Sequence, residues 1–483
     1  MKNTHPLAAL VAATLALSAC GGDSPLSRNG PITVPPPVNT PEPPLAATPK
    51  ATCGPGSRPE PGMQGRIPRE AVESGAVADG YTCNTQMVGA YQTPNMVGTV
   101  GGFKVERYVD ASGNDCAYYD TTLLYPTNAT GVESGVNVMD MSDPTNPRMT
   151  ARLVTPAMNS PHESVVVSKE RGVLAAVLGN PAFGPGVVDV YDLAPDCRNP
   201  VLKASLPVGN FGHESGFSPD GKTFYAAWTA GPAVTAIDLT NLNLPTPLGV
   251  MQLNSHGLSL SNDGNRAYMA GSGDDAGLLV VDVSDFQSRK ANPQGRVISR
   301  LTWDTITIPQ NAIPITIKGK PYLVEIDEYS SNGGSVAAHG TTVGAGRMID
   351  ISDETKPRVV SNLRLEVHQP ENRAAIANDP GAQNPTQGYA GHYCNVPSRV
   401  DPTIVACSMI MSGLRIFDIR DPANPKEVAY FVAPVRERPA AGFFEASNWA
   451  MSSPSFVPER KEIWYSDGYN GFFVVRVTND MWK

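Results

Sequence analysis

Short stretches in which apolar and polar residues alternate recur along the chain, and seven of them share one pattern. An apolar strand ends in Asp, another apolar residue follows, and polar residues then lead into a turn that usually contains proline. Alternation with a period of two, in segments rich in Val and Ile, predicts half-buried β-strands. In the last copy Arg476 replaces the Asp. The copies begin at Val136, Val187, Val234, Leu278, Arg347, Leu414 and Phe472.

A β-hairpin is predicted upstream of these strands. It is clearest in His213 to Trp228 and in His256 to Gly271, where a Pro-Asp-Gly or Asn-Asp-Gly turn separates two apolar runs. Hairpin, third strand and edge strand make a four-stranded antiparallel unit, which recurs at intervals of roughly 45 to 70 residues. Such units arranged radially form a propeller. The sequence therefore predicts an all-β fold, a seven-bladed β-propeller over residues 80–483, whose last sheet needs a strand from the N-terminal part.

The repeated strand resembles the LVIVD-repeat family, whose name is echoed by the segments LLVVDV from Leu278 and RMIDIS from Arg347. The resemblance extends over roughly residues 80–483. Each motif is weak alone, but seven motifs in series are specific. It implies a β-propeller and carries no defined activity.

The first 19 residues have the features of a bacterial lipoprotein signal peptide. Lys2 precedes an apolar run from Leu7 to Leu17, and Leu17-Ser18-Ala19-Cys20 resembles a lipobox. This predicts lipidation at Cys20, with palmitate among the attached acyl chains, and an envelope lipoprotein of the outer membrane that faces the periplasm or the cell surface. Residues 20–50 are rich in proline and predict a disordered tether. Residues 51–79 predict a loop-rich extension packed on the propeller.

Charge and cysteine content restrict the partners and the compartment. The net charge is −9 and no basic stripe occurs, so nucleic acid is not an expected partner. Beyond Cys20, six cysteines remain, an even number that favours disulfides in an exported protein. Cys394 and Cys407 lie at equal distances from a predicted turn, which predicts a bond across a hairpin. Cys83 with Cys116 is a second expected pair on similar grounds, which leaves Cys53 with Cys197, although six cysteines allow fifteen connectivities.

Four histidines occupy one position of the repeat. His162, His213, His256 and His392 each precede the aligned residue of the second strand by 12 positions, as does Asn311 in the intervening blade. That position is the start of the innermost strand, which faces the central channel of a propeller. We therefore expect the four imidazoles to converge near the axis. Asn311, Ser452 of the last blade and His368 of a long loop are expected to line the pocket.

Two interpretations of these histidines stay open. Imidazole is a common ligand of transition metals, so the four rings predict a site for Zn, Cu or Fe at the axis. The arrangement is similar to that of propeller enzymes with axial histidines, the carotenoid oxygenases and the methanethiol oxidase (selenium-binding) family. In the other interpretation, the rings only donate hydrogen bonds to backbone carbonyls across blades.

The sequence supports three functional hypotheses. The first is an envelope-anchored binding scaffold, held to the membrane by its lipid, with an unknown protein or small-molecule ligand on the face where the innermost strands begin. The second is a metal-dependent oxidoreductase or hydrolase that uses the axial histidines. The third is a lactonase-like hydrolase or a purely structural protein, which ranks last because no acidic residues align at the axis.

Overall fold

Seven antiparallel sheets surround one axis in the computed structural model. The structure describes residues 32–93, 100–121, 134–179, 186–210, 212–228, 231–330, 342–383, 388–435 and 448–483. Each sheet is a blade whose first strand lies nearest the axis, so the predicted seven-bladed all-β propeller is confirmed. Among the described residues, no helix has the length and apolar character needed to cross a membrane.

The first four blades are formed by consecutive strands. Blade 1 contains Val105–Val109, Asp115–Asp120, Val136–Asp140 and Arg148–Leu153. Blade 2 contains Val166–Ser168, Val173–Val177, Gly186–Asp192 and Val201–Gly209. Blade 3 contains Gly216–Phe217, Thr223–Ala227, Val234–Asp238 and Thr246–Met251. Blade 4 contains Ser255–Leu260, Arg266–Gly271, Gly277–Asp282 and Arg296–Leu301.

Blade 5 is also formed by consecutive strands, whereas blades 6 and 7 each include a strand from the N-terminal part of the chain. Blade 5 contains Ile308–Ile317, Lys320–Glu328, Gly346–Asp350 and Arg358–Leu363. Blade 6 contains Tyr393–Asn395, Ile404–Met409, Gly413–Asp418 and Lys426–Val432, and a fifth strand, Tyr81–Cys83, on its outer edge. Blade 7 contains Ser455–Val457, Glu462–Asp467 and Gly471–Val477, and Thr85–Tyr91 supplies its fourth strand.

Helical turns lie in the connections between strands and in the N-terminal extension. The α-helical turns are Arg69–Glu73, Pro156–Asn159, Ser284–Gln287, Arg373–Ile376 and Pro380–Gln383. The 3-10 turns are Gly273–Asp275, Glu366–His368, Pro370–Asn372 and Pro458–Arg460.

The Asp of the repeated motif ends the third strand of a blade. Its carboxylate accepts the backbone N–H two residues later, as Asp140 does from Ser142 at 2.9 Å and Asp238 from Thr240 at 2.8 Å. This local hydrogen bond turns the chain toward the outer strand and explains why Asp recurs there. In the last copy, Arg476 instead donates to Glu462 Oε1 at 2.8 Å, beside the strand that closes the ring.

Apolar side chains fill the space between neighbouring blades. One buried cluster joins Tyr118 and Val138 of blade 1 to Leu174 of blade 2, and a corresponding cluster joins Tyr119 of blade 1 to Trp464 of blade 7. Sheets packed face to face around a closed circle have few exposed edges. This packing holds the first strand of each blade in place and so positions the side chains at the start of each first strand near the axis.

Residues 32–50 differ from the disordered tether that the sequence predicts. The N–H of Val38 donates to Arg300 O at 2.8 Å in blade 4, and the N–H of Thr48 donates to Arg364 O at 2.8 Å beside blade 5. Pairing with exposed backbone groups holds this proline-rich stretch on the outside of the propeller. Residues 20–31, together with Cys20, lie outside the described residues.

The disulfides confirm one predicted pair and contradict the other two, Cys83 with Cys116 and Cys53 with Cys197. Cys394 and Cys407 are bonded across a hairpin of blade 6. Cys83 pairs with Cys53, not with Cys116, because its strand belongs to the outer edge of blade 6 and lies against the N-terminal extension. Cys116 of blade 1 pairs with Cys197 of blade 2, so this bond joins two neighbouring blades.

Candidate metal centre

The four aligned histidines come together at one end of the propeller axis. The ring centroids of His162 and His213 lie 4.5 Å apart, and those of His213 and His256 lie 4.2 Å apart. Phe103 precedes the first strand of blade 1, and its ring stacks on His162 at 5.8 Å and on His392 at 5.3 Å. The four imidazoles and this phenyl ring therefore surround a common centre, as the shared repeat position predicts.

Two carboxylates, which the sequence did not indicate, lie among the imidazoles. Glu163 places Oε2 3.4 Å from His213 Nδ1 and Oε1 3.6 Å from His392 Nε2. Glu328, the last residue of the second strand of blade 5, places Oε1 3.3 Å from His256 Nε2 and Oε2 3.0 Å from His392 Nε2. The carboxylates are 2 % and 4 % exposed, respectively. The centre is thus a mixed imidazole and carboxylate cluster.

Backbone conformation explains why Glu163 points to the axis together with His162. Successive side chains of a regular strand point to opposite faces. Here both residues have positive φ values, 41° and 75°, which L-residues adopt only at an energetic cost. The hydroxyl of Ser164 donates to Pro161 O at 2.6 Å and to Val177 O at 2.8 Å, and these bonds hold the turn. A locally strained turn therefore delivers two neighbouring side chains to one centre.

The far ring nitrogens of two histidines are anchored by backbone carbonyls. Pro309 O accepts from His256 Nδ1 at 2.8 Å, and Met451 O accepts from His392 Nδ1 at 2.7 Å. With Nδ1 committed to a carbonyl, Nε2 is the nitrogen that each ring presents to the carboxylates, and the one that would bind a metal ion once deprotonated. Anchoring of the distal nitrogen is the usual arrangement for metal-binding histidines. Hydrogen bonds from the rings to backbone carbonyls were expected if the histidines were purely structural. A metal site needs the same bonds, so they do not decide between the two interpretations.

Polar side chains of the next layer orient Glu163. Its Oε2 accepts from the hydroxyl of Tyr393 at 2.5 Å and from the side-chain amide of Gln310. Both donors are buried. The carboxylate is therefore held in one orientation, with Oε1 toward His392 and Oε2 toward His213.

Burial and the charges of neighbouring groups shift the pKa values of the cluster's side chains in different directions. Burial lowers the pKa of His162 and lowers that of His213 well below its usual value. Burial alone raises the pKa of Glu163, but the surrounding imidazoles, led by His213, bring it below its usual range. Burial also disfavours charge on His392, yet its contact with Glu328 and the charge of Glu163 leave its pKa raised. The lowered pKa values leave His162 and His213 with free nitrogen lone pairs beside the Glu163 carboxylate, which suits a cation.

Unpartnered polar atoms show that these side chains fit a metal ion. His213 Nδ1, His392 Nε2 and Glu328 Oε2 are buried without a hydrogen bond of acceptable geometry, although the last two are 3.0 Å apart. Buried polar atoms without partners are costly, and a coordinated cation would satisfy them. Nitrogen and oxygen donors of this kind suit Zn, Fe, Ni, Cu or Mn.

The three expected pocket-lining residues occupy different places. Asn311 is buried and lines a channel beneath the cluster, while its neighbour Gln310 contacts Glu163. Ser452 is buried between blades, where its Oγ accepts the N–H of Ser466 at 2.8 Å. His368 lies in the turn after blade 5, where its Nδ1 accepts from Leu365 N at 3.1 Å and its Nε2 bonds Tyr389 O at 2.8 Å. His368 therefore stabilises a connection and does not line the channel.

The channel is a cavity of about 440 Å³ lined by the first strands of the blades. At its inner end, Lys104 Nζ donates to Glu214 Oε1 at 2.8 Å and lies 4.3 Å above the ring of Tyr393. Since the hydroxyl of Tyr393 reaches Glu163, one layer of polar side chains separates the channel from the cluster. His162, which is only half-buried, is the cluster member with access to solvent.

Comparison with known proteins supports the repeat assignment. Residues 258–290, in blade 4, match the LVIVD repeat. The chain is a β-propeller that carries an LVIVD repeat in blade 4. No curated protein matches it. Among solved structures, it resembles the hydrazine synthase of Kuenenia stuttgartiensis at 14 % identity, with a TM-score of 0.49, covering 81 % of this chain and 100 % of that one. It also resembles a chain of the mitotic checkpoint complex at 11 % identity, with a TM-score of 0.48, covering 92 % and 100 %. At these values, neither likeness supports a functional conclusion.

Proposed function

We propose that this LVIVD-repeat propeller is an exported protein that binds a transition-metal ion at its axis. The observation that carries the proposal is the position of Glu163, whose two oxygens face His213 and His392 inside a buried cluster. Burial removes the carboxylate and the imidazoles from water, which costs free energy. A bound cation offsets this cost by interacting with their oxygen and nitrogen atoms. His162, His213, His392 and the two carboxylates would hold the ion, with His256 beside them.

Elemental analysis of the full chain purified without chelators tests the proposal. We expect bound metal in the wild type and little in His213→Ala, because His213 lies within reach of Glu163 and has an unpartnered nitrogen. His368→Ala is the matched control, since His368 is also a buried histidine but lies in a turn away from the cluster. Wild-type protein without metal, or equal metal in both variants, would contradict the proposal.

A second candidate function is catalysis by the bound metal, as a metal-dependent oxidoreductase or hydrolase. It is favoured by the partial exposure of His162, whereas the other ligands named above are buried. When bound, a metal ion supplies Lewis acidity and activates water for attack. The chain's own part is to orient Glu163 through Tyr393 and Gln310. Turnover of an ester, phosphate or thiol substrate that His213→Ala abolishes would support this function over binding alone.

The attachment to the envelope is a separate part of the proposal, and it rests on the sequence around Cys20. A lipid at Cys20 would tether the propeller to the membrane through residues 21–31, after which the chain follows the outside of the blades. The anchored propeller would also bind a protein or a small molecule on the face that bears the axial cluster. Labelled palmitate is expected to enter the wild type and not Cys20→Ala. Equal labelling of both would refute lipidation at Cys20.

A further inference from the structure

The arrangement of donors around Glu163 suggests more than one ion. Resting on the proposed metal-binding function, we propose that the centre is dinuclear, with two transition-metal ions bridged by the carboxylate of Glu163. The first ion would be held by His162, His213 and Glu163. The second would be held by His392, Glu328 and Glu163.

Two groups of ligand atoms share Glu163 and no other residue. In the group of His162, Glu163 and His213, the donor atoms all lie within 4.8 Å of one another. The same holds for the group of Glu163, Glu328 and His392. Each group offers three protein ligands, which is the usual number for a catalytic metal site that keeps an open position.

The orientation of Glu163 suits a bridge. Oε2 faces His213 at 3.4 Å, in the first group, while Oε1 faces His392 at 3.6 Å, in the second. A carboxylate that gives one oxygen to each of two ions places them a few ångströms apart, and two-metal sites have separations of about 3.5–4 Å. Tyr393 and Gln310 fix this orientation from the channel side.

The number of donors also exceeds what one tetrahedral ion uses. Four imidazoles and two carboxylates meet at the centre, whereas a tetrahedral ion takes four ligands at about 2.0–2.2 Å from nitrogen or oxygen. Glu328 connects the remaining histidine to the second group, because its Oε1 lies 3.3 Å from His256 Nε2 and its Oε2 lies 3.0 Å from His392 Nε2. His256 is therefore placed to complete the ligands of the second ion.

Charge balance is consistent with two divalent ions. The ion-pair partners of Glu163 and Glu328 in the described part of the chain are all imidazoles, with no lysine or arginine among them. The buried cation in the layer below, Lys104, is already paired with Glu214 at 2.8 Å. An excess of buried carboxyl groups over cations lowers the cost of bringing a second divalent ion into the site.

Metal stoichiometry tests the inference directly. The full chain is stripped with chelator, titrated with Zn²⁺ and measured by native mass spectrometry, then titrated with Co²⁺ and followed by visible absorption. We expect two Zn²⁺ per chain and a two-step Co²⁺ titration in the wild type. His162→Ala and His392→Ala should each bind one ion, and Glu163→Gln should weaken both sites at least tenfold. Circular dichroism verifies that each variant is folded.

The outcomes distinguish this inference from the function on which it rests. One ion per wild-type chain, lost in both His162→Ala and His392→Ala, would overturn the dinuclear centre and leave the metal-binding function standing. No bound ion would overturn both. Magnetic coupling between two Mn²⁺ ions, measured by electron paramagnetic resonance on the wild type, gives a readout that depends on no variant. A spectrum of isolated Mn²⁺ at saturation would also overturn the inference.

Discussion

Lys104 of blade 1 and Glu214 of blade 3 form a buried ion pair beneath the axial cluster, with Nζ 2.8 Å from Oε1. Both side chains are 5 % exposed, and the second carboxylate oxygen has no hydrogen-bond partner. Since the two residues belong to blades that are not adjacent, the pair links opposite sides of the narrow inner end of the channel. This pair is part of the polar layer between the channel and the axial cluster.

Replacing Lys104 by Met is expected to lower the free energy of unfolding by about 3–5 kcal/mol, because it leaves Glu214 buried without a counter-charge. Burial already raises the pKa of Glu214, so the loss should grow as pH rises and the carboxyl ionises. Denaturant unfolding at two pH values measures the effect. The double variant Lys104→Met with Glu214→Gln should recover part of the loss. An additive double variant would show that the two residues are not coupled.

Bound metal is expected to stabilise the wild-type protein. An ion at a hundredfold excess over its dissociation constant adds about 2.7 kcal/mol to the free energy of unfolding, because it binds the folded state alone. Thermal unfolding with and without chelator measures this difference. His213→Ala should show little of it, whereas His368→Ala should retain it. A chelator effect of equal size in His213→Ala would place the ion elsewhere.

Acidification is expected to release the metal. Protons compete for imidazole below a pH of about 6.5, and burial lowers the pKa of His162 and His213 further, so release from these two should occur on the acid side of that value. The contact with Glu328 raises the pKa of His392, so a metal ion that binds there must displace a proton. Metal content after dialysis at a series of pH values measures release. Full retention at pH 4 would contradict ligation by imidazole.

Asp120 is expected to make folding stability fall as pH rises. Its Oδ1 accepts the N–H groups of Phe103 and Lys104 at 2.9 and 3.0 Å, while its Oδ2 has no partner. Burial raises the pKa of Asp120 to about 7. The folded state thus holds a proton between pH 4 and 7 that the unfolded state has lost, so the free energy of unfolding decreases across this window by about 4 kcal/mol.

The variant Asp120→Asn tests this assignment because the amide oxygen can still accept both bonds and does not titrate. We expect its free energy of unfolding to decline less than that of the wild type between pH 4 and 7, measured by urea denaturation. Parallel curves for the two proteins would show that the carboxyl is not the source of the decline.

The two disulfides within the propeller should differ in their contributions. Cys116 and Cys197 are 81 residues apart in sequence, whereas Cys394 and Cys407 are 13 apart. Closing a longer loop removes more entropy from the unfolded chain, so loss of the first bond should cost about 4–5 kcal/mol and loss of the second about 3 kcal/mol. Denaturation of the two double Ser variants compares them. The reverse order would show that strain or residual structure dominates.

The sequence predicts the fold and the four axial histidines because both follow from a repeat. Seven strand motifs determine the number of blades, and equal spacing to the second strand brings His162, His213, His256 and His392 to one level. Glu163 was missed because strand alternation sends neighbours of a histidine away from the axis, and the positive φ values that reverse this have no sequence signal. Glu328 was missed because it lies at the end of a second strand, outside the aligned position.

The disulfide error has a similar cause. Cys83 and Cys116 were expected to face each other across a hairpin, but the strand of Cys83 joins the outer edge of blade 6. Pairings between parts of the chain that are distant in sequence leave no local pattern. The packing of residues 32–50 against the blades could not be predicted for the same reason. A proline-rich segment can form hydrogen bonds with the edge of a distant strand or remain a free linker, and its own sequence does not distinguish the two.

The closing strand of blade 7 imposes an order on folding. Thr85 pairs with Val477, so the circle is closed by two segments that are almost 400 residues apart in sequence. Contacts between such distant segments form slowly, because a long loop must be closed before they contribute any stability. Until the final strand, Gly471–Val477, has been synthesised, Thr85–Tyr91 has no partner in blade 7, and the nascent protein is an open arc with two unprotected strand edges. Such edges favour aggregation, so the chain is most exposed to it before Gly471–Val477 pairs with Thr85–Tyr91.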